Sequence, residues 1–360
     1  MSTEASANQG LSVMFALAGD EGKASSRVRG YWIVEQLRML GVSCAIKQAY
    51  TKLQLLMLLI SVLRFDVVVF QKTYSRYHLW ILNFARFVGK QAYLDIDDAP
   101  SRTQSARTLK NATAMMQNAN AVFCGSQALF DYASERGSRC YLIPSGVRLE
   151  NYPPRVRGRE NHTVCLGWIG NGAHYADDLV ELLVEPFGVL AETYSVRFKI
   201  VGACGVAALY SAFESIPGVE VEFVDQIEWS NPEAVAEAMY EVDIGLYPLL
   251  SNDFNKFKCG FKALEYMAMG IPVVASPVAV NGEIVADGVE GFLADTTDAW
   301  VRCLTRLVES SELRERMGMA GRRKVEGQFD TAILAKQLKD IFIGQINEQR
   351  EIYRNDETKG

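Results

Sequence analysis

A chain of 360 residues exceeds the size at which one hydrophobic core usually stops growing, so we expect two domains of roughly 150 to 180 residues. The net charge of −6 gives no global reason to expect nucleic acid as a partner. The seven cysteines are scattered without CxxC spacing, which argues against a disulfide framework or a zinc site and favours a reducing compartment.

The N-terminus and the longest apolar run bear on localisation. Residues Met1–Gly10 are polar and lack a basic region followed by a hydrophobic one, so we expect no secretory signal and a cytoplasmic protein. The apolar run Leu53–Leu63 is interrupted by Gln54 and Ser61 and is too short to span a bilayer. It predicts a helix packed on a sheet. The alternative is a helix lying in a membrane surface, which would make the protein peripheral at the inner face of the membrane.

Short β-rich runs alternate with helical patterns in the first part of the chain. The predicted strands are Val13–Ala18, Val42–Lys47, Asp66–Phe70, Gln91–Ile96, Ala121–Cys124 and Cys140–Ile143. The predicted helices are Arg27–Leu40, Thr51–Leu63, His78–Val88, Gln104–Gln117 and Gln127–Arg136. This alternation is typical of βαβ units and predicts a parallel-sheet α/β domain over residues 1–150.

A segment rich in Pro, Arg and Asn interrupts the alternation at Asn151–Asn161, so we interpret residues 151–162 as a linker. Beyond it the predicted strands are Val164–Ile169, Arg197–Val201, Val219–Val224 and Ile244–Tyr247. The predicted helices are Ala176–Glu192, Val206–Phe213, Pro232–Tyr240, Asp298–Glu309, Glu312–Gln328 and Thr331–Tyr353. We therefore expect a second Rossmann-like domain over residues 163–330 and a C-terminal helix within residues 331–360.

The most informative stretch runs from Lys258 to Asp295. It predicts an amphipathic helix, a tight turn, a buried strand and a second loop that enters a helix. At about 100° per residue, Lys258, Lys262 and Glu265 fall on one stripe beside an apolar face. Two ammonium groups and a carboxylate at the edge of a buried surface suit a ligand that carries both negative charge and hydroxyls, as a sugar nucleotide does.

This stretch resembles the donor-binding half of the retaining glycosyltransferases of family 4. The segment Gly270–Val274 matches the family's Gly-Xaa-Pro-Val-Val strand, and Glu265 matches its ribose-binding Glu. The family places a first Glu eight positions upstream, where this chain has Phe257. The replacements that we consider for that role are Asp253, Asn255 or a backbone amide. The resemblance implies the GT-B architecture, with two Rossmann-like domains facing a central cleft, the acceptor on the N-terminal side, the donor on the C-terminal side, and a last helix that crosses back to the first domain.

A loop rich in Gly, Ser and Arg follows the first predicted strand, at Ala18–Gly30. Flexible backbone and helix-entry amides at the carboxyl end of a strand form anion sites. The loop resembles the family's Ser-Ser-Arg-Xaa-Arg opening, which implies that it lies over the donor phosphates and the acceptor. The candidate residues are Gly22, Ser25, Ser26, Arg27 and Arg29. The alternative is that Ser25 or Ser26 caps the following helix.

Carboxylates follow another predicted strand, where Asp97 and Asp98 precede Pro100. A carboxylate near the reacting centre orients an acceptor hydroxyl or stabilises positive charge on the donor sugar. In many family 4 members a His occupies the position that matches Asp97. The alternatives are a capping or salt-bridge role and a metal-binding Asp-Xaa-Asp motif. The two-domain alternation argues against the fold that uses that motif, so we expect no metal.

Two further loops are predicted to contact the donor. The Gly-rich turn in Gly167–Leu179 contributes Gly170, Asn171 and His174. The helix entry Ala279–Glu283 contributes Val280, Asn281, Gly282 and Glu283, with backbone amides directed at the diphosphate. Related sequences often have Gly where Ala279 stands. Since the first loop offers only His174 as a basic group, Lys258 and Lys262 are expected to neutralise the diphosphate.

The resemblance predicts an enzyme that moves a sugar from a nucleotide diphosphate sugar to a hydroxyl of a glycan, lipid-linked saccharide or small molecule. It implies retention of configuration, no metal or other cofactor, and no nucleic-acid partner. Lys258, Lys262, Asp97 and Asp98 are the expected catalytic residues. The alternatives are a non-catalytic sugar-nucleotide binding or scaffold protein, which the Phe257 departure favours, and another GT-B activity such as a sugar-nucleotide epimerase.

Overall fold

The computed structural model describes residues 10–100, 105–155 and 163–357. The chain forms two compact units, one of Met1–Gly146 with Thr331–Gly360 and the other of Val147–Asp330. The α/β prediction is confirmed, because each unit contains a six-stranded sheet whose strands pair in parallel. Residues 1–9, Gln104 of a predicted helix, and residues 156–162 of the predicted linker lie outside the described residues.

The first sheet has the strand order β2-β1-β3-β4-β5-β6. Its strands are β1 Ser12–Leu17, β2 Ser43–Lys47, β3 Val67–Gln71, β4 Gln91–Ile96, β5 Ala121–Cys124 and β6 Cys140–Leu142. Helices between them are Lys52–Val62, Arg76–Phe87, Ala106–Asn118 and Gln127–Ser134. Strands β3 and β4 are buried along their whole length, as expected for inner strands of a parallel sheet covered on both faces.

The first helix begins before the position that the sequence predicted. Helical backbone runs through Ala24–Ser26, a π-helical turn at Arg27–Tyr31, and Trp32–Met39. The turn lies where Gly30 packs on β1, since a Cβ there would approach Leu17 Cδ1 to 2.6 Å. A π turn inserts a residue into the helical ladder and is frequent at functional sites. Arg27 and Arg29 both lie in this turn.

The C-terminal helix Thr331–Glu357 completes the core of the first unit. Its residues Leu334, Ala335, Leu338 and Phe342 belong to the same buried cluster as the strands β1, β3, β4 and β5. The Phe342 ring lies 5.4 Å from that of Tyr93 and 5.9 Å from that of Phe123. The core of this unit therefore combines residues from both ends of the chain.

The second sheet has the order β12-β11-β10-β7-β8-β9. Its strands are β7 Val164–Ile169, β8 Val196–Val201, β9 Val219–Val224, β10 Ile244–Tyr247, β11 Val273–Ala275 and β12 Gly291–Leu293. Read from β9, this is the 3-2-1-4-5-6 order of a dinucleotide-binding fold. In such sheets a crevice opens at the carboxyl ends of the strands where the order reverses, here between β7 and β10. Strand β12 was not predicted, because three residues give no periodic signal.

The helices of the second unit are Gly172–Ala191, Ala207–Glu214, Pro232–Met239, Phe261–Ala268, Asn281–Ile284, Thr297–Glu309 and Ser311–Lys324, the last followed by a π turn at Val325–Phe329. The two ends of the unit lie side by side, because Val147 bridges Asp330 and donates its N–H to the Phe329 carbonyl at 2.7 Å. Across the described part of the chain, no helix is both long and apolar enough to cross a membrane.

Candidate functional site

Lys262 lies at the point where the second sheet reverses its strand order. Its ammonium is 5.8 Å from the ring of Trp168 on β7 and 5.3 Å from the ring of Tyr247 on β10, and it lies 3.9 Å above the ring of Tyr175. In the ranges that the structure describes, no carboxylate lies within ion-pair distance of this ammonium. A half-buried cation that faces aromatic rings and has no described carboxylate within ion-pair distance is suited to bind an external anion.

Lys258 is not on the helix that the sequence predicted to carry it. The helix begins at Phe261, whereas Lys258 has extended backbone at the end of a short 3-10 turn. The prediction that Lys258 shares one helical stripe with Lys262 and Glu265 is therefore wrong. Its ammonium nevertheless lies 5.8 Å from the Tyr175 ring that Lys262 also faces, and 3.9 Å from the ring of Phe254. The two lysines therefore approach one aromatic group from different segments.

The left-handed residue Gly260 separates these two segments. Gly260 precedes the first residue of the helix and has a φ of 67°. A Cβ on Gly260 would lie 2.2 Å from Ile284 Cδ1 and 2.8 Å from Val280 Cγ1. Only glycine meets both conditions without strain. The Ala279–Glu283 loop is consequently held against the start of the helix that carries Lys262.

A buried carboxylate anchors the segment before Lys258. Asp178 Oδ1 accepts hydrogen bonds from the Leu250 N–H at 2.7 Å and from Asn255 Nδ2 at 2.6 Å. Burial raises the pKa of Asp178, whereas these hydrogen bonds and the charge of Lys262 lower it. Asn255 is fully buried by this contact, so its side chain is placed to hold the loop and not to contact a sugar. Asp253, the other residue considered as a replacement for the family's first Glu, is exposed.

Glu265 is buried and held by a residue from the stretch predicted to be a linker. The Tyr152 hydroxyl donates to Glu265 Oε1 at 2.7 Å, and Tyr152 is only 1% exposed. The Tyr152 carbonyl in turn accepts from Arg322 Nη1 at 2.6 Å, and the same guanidinium contacts the Ala268 carbonyl at the end of the helix. The orientation of Glu265 is thus fixed by tertiary contacts.

The Gly-rich turn after β7 lies directly beside Lys262. A Cβ on Gly170 would lie 2.5 Å from Lys262 Cε and 2.8 Å from Trp168 Cζ2, so a larger residue would displace the lysine. Asn171 caps the helix Gly172–Ala191 by accepting from the Ala173 N–H at 3.0 Å. His174 is exposed in the first turn of that helix. Of the three predicted residues of this turn, Gly170 is therefore the one in contact with the lysine.

The Ala279–Glu283 loop offers backbone donors. In the described part of the chain, the N–H groups of Ala279, Val280 and Gly282 have no hydrogen-bond acceptor. Ala279 has a φ of 55°, a left-handed conformation that glycine adopts more readily, which explains why glycine suits this position in related sequences. The Asn281 side chain is fully buried and donates to the Ser276 carbonyl at 3.0 Å, whereas Glu283 is exposed.

The loop after β1 in the first unit differs from the prediction in two respects. Ser25 and Ser26 lie inside the helix and do not cap it, and the Ser26 hydroxyl donates to Gln71 Oε1 at 3.3 Å. Arg29 is not available for a phosphate, because its guanidinium is buried in a two-bond ion pair with Asp95 at 2.7 and 2.6 Å. A third bond joins it to the Ile143 carbonyl at 2.9 Å.

Arg27 stabilises its own loop. Its Nη1 donates to the carbonyls of Glu21 at 3.0 Å and Gly22 at 3.3 Å, and the side chain is buried. Gly22 is exposed, and Ser25 is half-buried. Arg27 therefore holds the loop in place through these carbonyl contacts, and its guanidinium is not exposed to a ligand.

Asp97 and Asp98 converge on a lysine that sequence reasoning missed. Lys72 Nζ lies 2.9 Å from Asp97 Oδ1 and 3.0 Å from Asp98 Oδ2. Burial opposes the charge on this ammonium, but the two carboxylates outweigh burial and raise the pKa of Lys72 above its ordinary value. Lys72 has a φ of 50°, so its backbone is strained at the carboxyl end of β3. This strain, invisible in the sequence, marks the segment as a candidate site.

The ion pairs bear on the metal alternative. Asp95 is engaged by Arg29, and Asp97 and Asp98 are engaged by Lys72. Within the described ranges, no group of three or more His, Cys, Asp or Glu side chains is arranged to hold a metal ion. The three carboxylates of this segment therefore have cationic partners within the protein itself.

Comparison with known proteins gives a match in the second unit. Residues 163–310 match the family model described as Glycosyl transferases group 1. The chain is 24% identical over 192 residues to the capsular polysaccharide biosynthesis glycosyltransferase CapM of Staphylococcus aureus, covering 51% of this chain and 46% of that protein. It is 26% identical over 240 residues to the D-inositol 3-phosphate glycosyltransferase of Streptosporangium roseum, and the match covers 61% of this chain and 53% of that protein. The chain thus spans about half the length of the curated relatives it matches.

Solved structures match over nearly the whole chain. Sucrose-phosphate synthase from Thermosynechococcus elongatus has a TM-score of 0.70 at 14% identity, covering 94% of this chain and 100% of that one. Anabaena Alr3699/HepE in complex with UDP and glucose has a TM-score of 0.68 at 14% identity, and the match covers 92% of this chain and 98% of that one. At this identity the likeness establishes the fold, which matches that of GT-B glycosyltransferases.

Proposed function

We propose that this protein is a glycosyltransferase that moves a sugar from a nucleotide diphosphate sugar to an acceptor hydroxyl. We further propose retention of configuration, as the resemblance to family 4 implies, and a reaction that needs no metal ion. The observation that carries the proposal is Lys262, a half-buried ammonium at the switch point of the second sheet, with no ion-pair partner in the described residues. The family match of residues 163–310 supports it.

The second unit supplies groups that suit the diphosphate and the ribose of a nucleotide sugar. The ammonium groups of Lys258 and Lys262 stabilise the negative charge that develops on the leaving diphosphate. The N–H groups of Ala279, Val280 and Gly282 donate hydrogen bonds to its oxygens, in the way that helix-entry amides bind phosphates. The Glu265 carboxylate accepts hydrogen bonds from ribose hydroxyls, and Tyr152 keeps it oriented. Lysines in this arrangement replace the divalent cation that other transferases use.

Turnover separates the enzyme from its alternatives. Purified protein is incubated with UDP-, GDP- and ADP-sugars, with and without a panel of hydroxyl acceptors, and free nucleoside diphosphate is measured. We expect acceptor-dependent release that persists in EDTA. Donor binding without release on any acceptor would favour the non-catalytic binding protein. Conversion of one nucleotide sugar into another without an acceptor would favour the epimerase.

Replacing the buried carboxylate tests the donor site. Glu265→Gln keeps the volume but removes the charge that ribose hydroxyls would contact, so we expect nucleotide binding to weaken by roughly 10- to 100-fold, the loss typical of a charged hydrogen bond. Calorimetry with the nucleoside diphosphate released in the turnover assay measures it. Glu315→Gln, an exposed carboxylate on the helix Ser311–Lys324, is the matched control and should bind normally. Equal affinity in both variants would remove Glu265 from the site.

A lipid-linked acceptor is favoured by the surface of the helix Lys52–Val62. Its residues Leu53, Leu56, Met57 and Ile60 are 52–61% exposed, and they follow helical spacing on one face. Leu58 and Val62 on the other face are buried, as the prediction of a helix packed on a sheet requires. We propose that the exposed apolar face contacts the hydrocarbon boundary of a membrane.

The charges around this face suit anionic lipid. Helices Lys52–Val62 and Arg76–Phe87 pack together and contain no Asp or Glu, although the whole chain has a net charge of −6. Arg76 begins the second helix and Lys52 the first, and both charges lower the pKa of Tyr77, Arg76 more strongly because it also donates a hydrogen bond to the Tyr77 hydroxyl. Trp80 is exposed on the second helix, where an indole ring suits the membrane interface. A second copy of this face would bring like charges together.

Vesicle flotation tests the membrane contact. We expect binding to phosphatidylglycerol vesicles, weakened by salt, and absent for neutral phosphatidylcholine vesicles. Leu56→Gln with Ile60→Gln should reduce binding at least about tenfold, because two apolar side chains lose their burial. Val189→Gln with Val289→Gln, both exposed in the second unit, is the control. Equal flotation of the two double variants, or no flotation of the unaltered protein, would exclude this contact.

A further inference from the structure

The helix Ser311–Lys324 packs closely on the helix that carries Lys262 and Glu265. A Cβ on its residue Gly318 would lie 2.0 Å from the Gly270 carbonyl oxygen. No side chain fits in this gap, so glycine is needed for the two segments to approach each other. The last turn of the helix is thereby held beside the groups that the proposed function assigns to the donor.

This last turn contains three consecutive cations, Arg322, Arg323 and Lys324. Cations near a helix C-terminus interact favourably with the helix dipole and with its last carbonyls, which is the ordinary reason for such a run. The three side chains differ in the structure. Arg323 is exposed, whereas Arg322 and Lys324 extend to carbonyl groups of other segments. These two residues therefore do more than stabilise the end of their own helix.

Arg322 binds the two segments that hold Glu265 in place. Its Nη1 donates to the Tyr152 carbonyl at 2.6 Å and also to the carbonyl of Ala268, at the end of the helix that carries Glu265. Its Nε donates to Glu326 Oε1 at 2.6 Å. The Tyr152 hydroxyl in turn donates to Glu265 Oε1 at 2.7 Å. One guanidinium thus fixes both the helix that carries the carboxylate and the tyrosine that orients it.

Lys324 binds the loop whose backbone amides are expected to contact the diphosphate. Its Nζ donates to the Glu283 carbonyl at 3.1 Å and lies 3.6 Å from Glu290 Oε1. Glu290 is buried, and its Oε2 accepts from the Ala286 N–H at 2.7 Å. The ammonium therefore joins the end of this loop to a buried carboxylate, directly after the amides that the proposed function assigns to phosphate.

We propose that Arg322 and Lys324 are positioning residues for the sugar-nucleotide donor, the first for its ribose and the second for its diphosphate. This rests on the proposed function, since it takes Glu265 and the loop amides as donor contacts. Both cations act through other groups. Arg322 orients the carboxylate through Tyr152, and Lys324 fixes the amides through the Glu283 carbonyl.

The two residues should affect different kinetic parameters. The ribose does not react, so its contacts stabilise the bound donor and the transition state equally, and their loss lowers affinity. The diphosphate gains charge as the sugar departs, so misplaced amides lower the rate more than the affinity. Variants of Arg322 and Lys324 are therefore expected to separate binding from turnover.

A double-mutant cycle with Glu265 tests Arg322. Arg322→Gln is expected to weaken binding of UDP, GDP or ADP, whichever the turnover assay releases, about tenfold, and to lower kcat less than about threefold. In protein that already carries Glu265→Gln, the same change should weaken binding less than about twofold, because the carboxylate that it orients is gone.

Tyr152→Phe, which removes only the connecting hydroxyl, should behave in the same way and provides a second variant that alters the structure less. Calorimetry measures all four corners of each cycle. If the losses for Arg322→Gln and Glu265→Gln multiply in full, Arg322 supports the fold alone and its positioning role is overturned.

Steady-state kinetics test Lys324. Lys324→Met is expected to lower kcat about tenfold, whereas nucleotide affinity should change less than about threefold, since small displacements of catalytic groups have large effects on rate. Lys324→Arg, which can still donate to the Glu283 carbonyl, should recover most of the rate. Unchanged kinetics in Lys324→Met, equal losses of rate and affinity, or no recovery with arginine would overturn this role.

Arg323→Gln is the matched control for both cations, because Arg323 lies in the same turn and is exposed. It should leave affinity and kcat unchanged, and a loss equal to that of the other variants would indicate a general disturbance of the helix and overturn the proposal. The unaltered protein separates the two levels of the argument. If it binds and turns over a donor while the cycle shows no coupling, positioning fails and the transferase stands. If it binds no nucleotide, the proposed function fails and the positioning roles fail with it.

Discussion

Under the proposed function, replacing both lysines of the candidate site is expected to lower nucleoside diphosphate release by about 10³-fold, whereas nucleotide binding falls only about tenfold. The negative charge on the diphosphate grows as the sugar departs, so the ammonium groups of Lys258 and Lys262 would stabilise the transition state more than the bound donor. Loss of a single preorganised donor of this kind typically lowers kcat by about 10²- to 10³-fold. Lys258→Met with Lys262→Met removes the ammonium groups that face the rings of Phe254 and Tyr175 and keeps unbranched side chains of similar length. Steady-state kinetics with the best donor, together with calorimetry, measure the two effects.

Lys256→Met is the matched control for these lysines. Lys256 is exposed and lies on the same segment, with its ammonium 5.5 Å from the Phe257 ring. It should retain full turnover. Equal losses in kcat and in nucleotide affinity for the double variant would mean that the lysines only bind the donor. Unchanged kinetics would remove them from the site.

Removing the buried arginine of the first unit is expected to cost about 3 to 5 kcal/mol of stability. Arg29→Met leaves the Asp95 carboxylate buried without its partner and leaves the Ile143 carbonyl without its donor. Breaking a buried ion pair by removing one partner has this typical cost. Because the pair joins the first helix to β4, the loss should be concentrated in the first unit. Hydrogen exchange of the Gln91–Ile96 amides and urea denaturation report it.

The same variant distinguishes a structural from a phosphate-binding Arg29. Under native conditions we expect Arg29→Met to bind nucleoside diphosphate as well as the unaltered protein does. Arg38→Met, an exposed cation of the same helix, should change stability by no more than about 0.5 kcal/mol. If Arg29→Met is as stable as the unaltered protein but binds nucleoside diphosphate more weakly, the prediction that Arg29 contacts a phosphate would be supported. In a double-mutant cycle, Arg29→Met with Asp95→Asn should cost less than the sum of the single changes.

The strands were predictable because the sheets are parallel and buried. Runs such as Ala121–Cys124 and Val164–Ile169 have the bounds that the sequence predicted, because a short, continuous apolar run between turn signals predicts a buried strand. The short strand Gly291–Leu293 carries too little pattern and was missed. Its position depends on close approach to β11, where a Cβ on Gly291 would lie 1.9 Å from the Val273 carbonyl oxygen.

The start of the helix at Phe261 was not predictable from periodicity. Apolar spacing continues through Lys258, but the left-handed conformation of Gly260 interrupts the helix there. Val280 and Ile284 also lie too close to Gly260 for a Cβ to fit, and this contact between distant parts of the chain leaves no trace in the local pattern. Tyr152 was missed for a related reason, because its polar neighbours suggested a linker, whereas its partner Glu265 lies 113 residues away.

The sequence by itself determined the α/β class and the alternation of strands and helices, because apolar periodicity and turn residues act locally. Only the tertiary structure decided which charged groups are free to meet a ligand. Arg29 and Lys262 both follow glycine-containing turns near the carboxyl ends of strands, yet a carboxylate 66 residues away neutralises Arg29, whereas aromatic rings surround Lys262. The availability of a charge depends on the partners that folding brings to it, and those partners are distant in the chain.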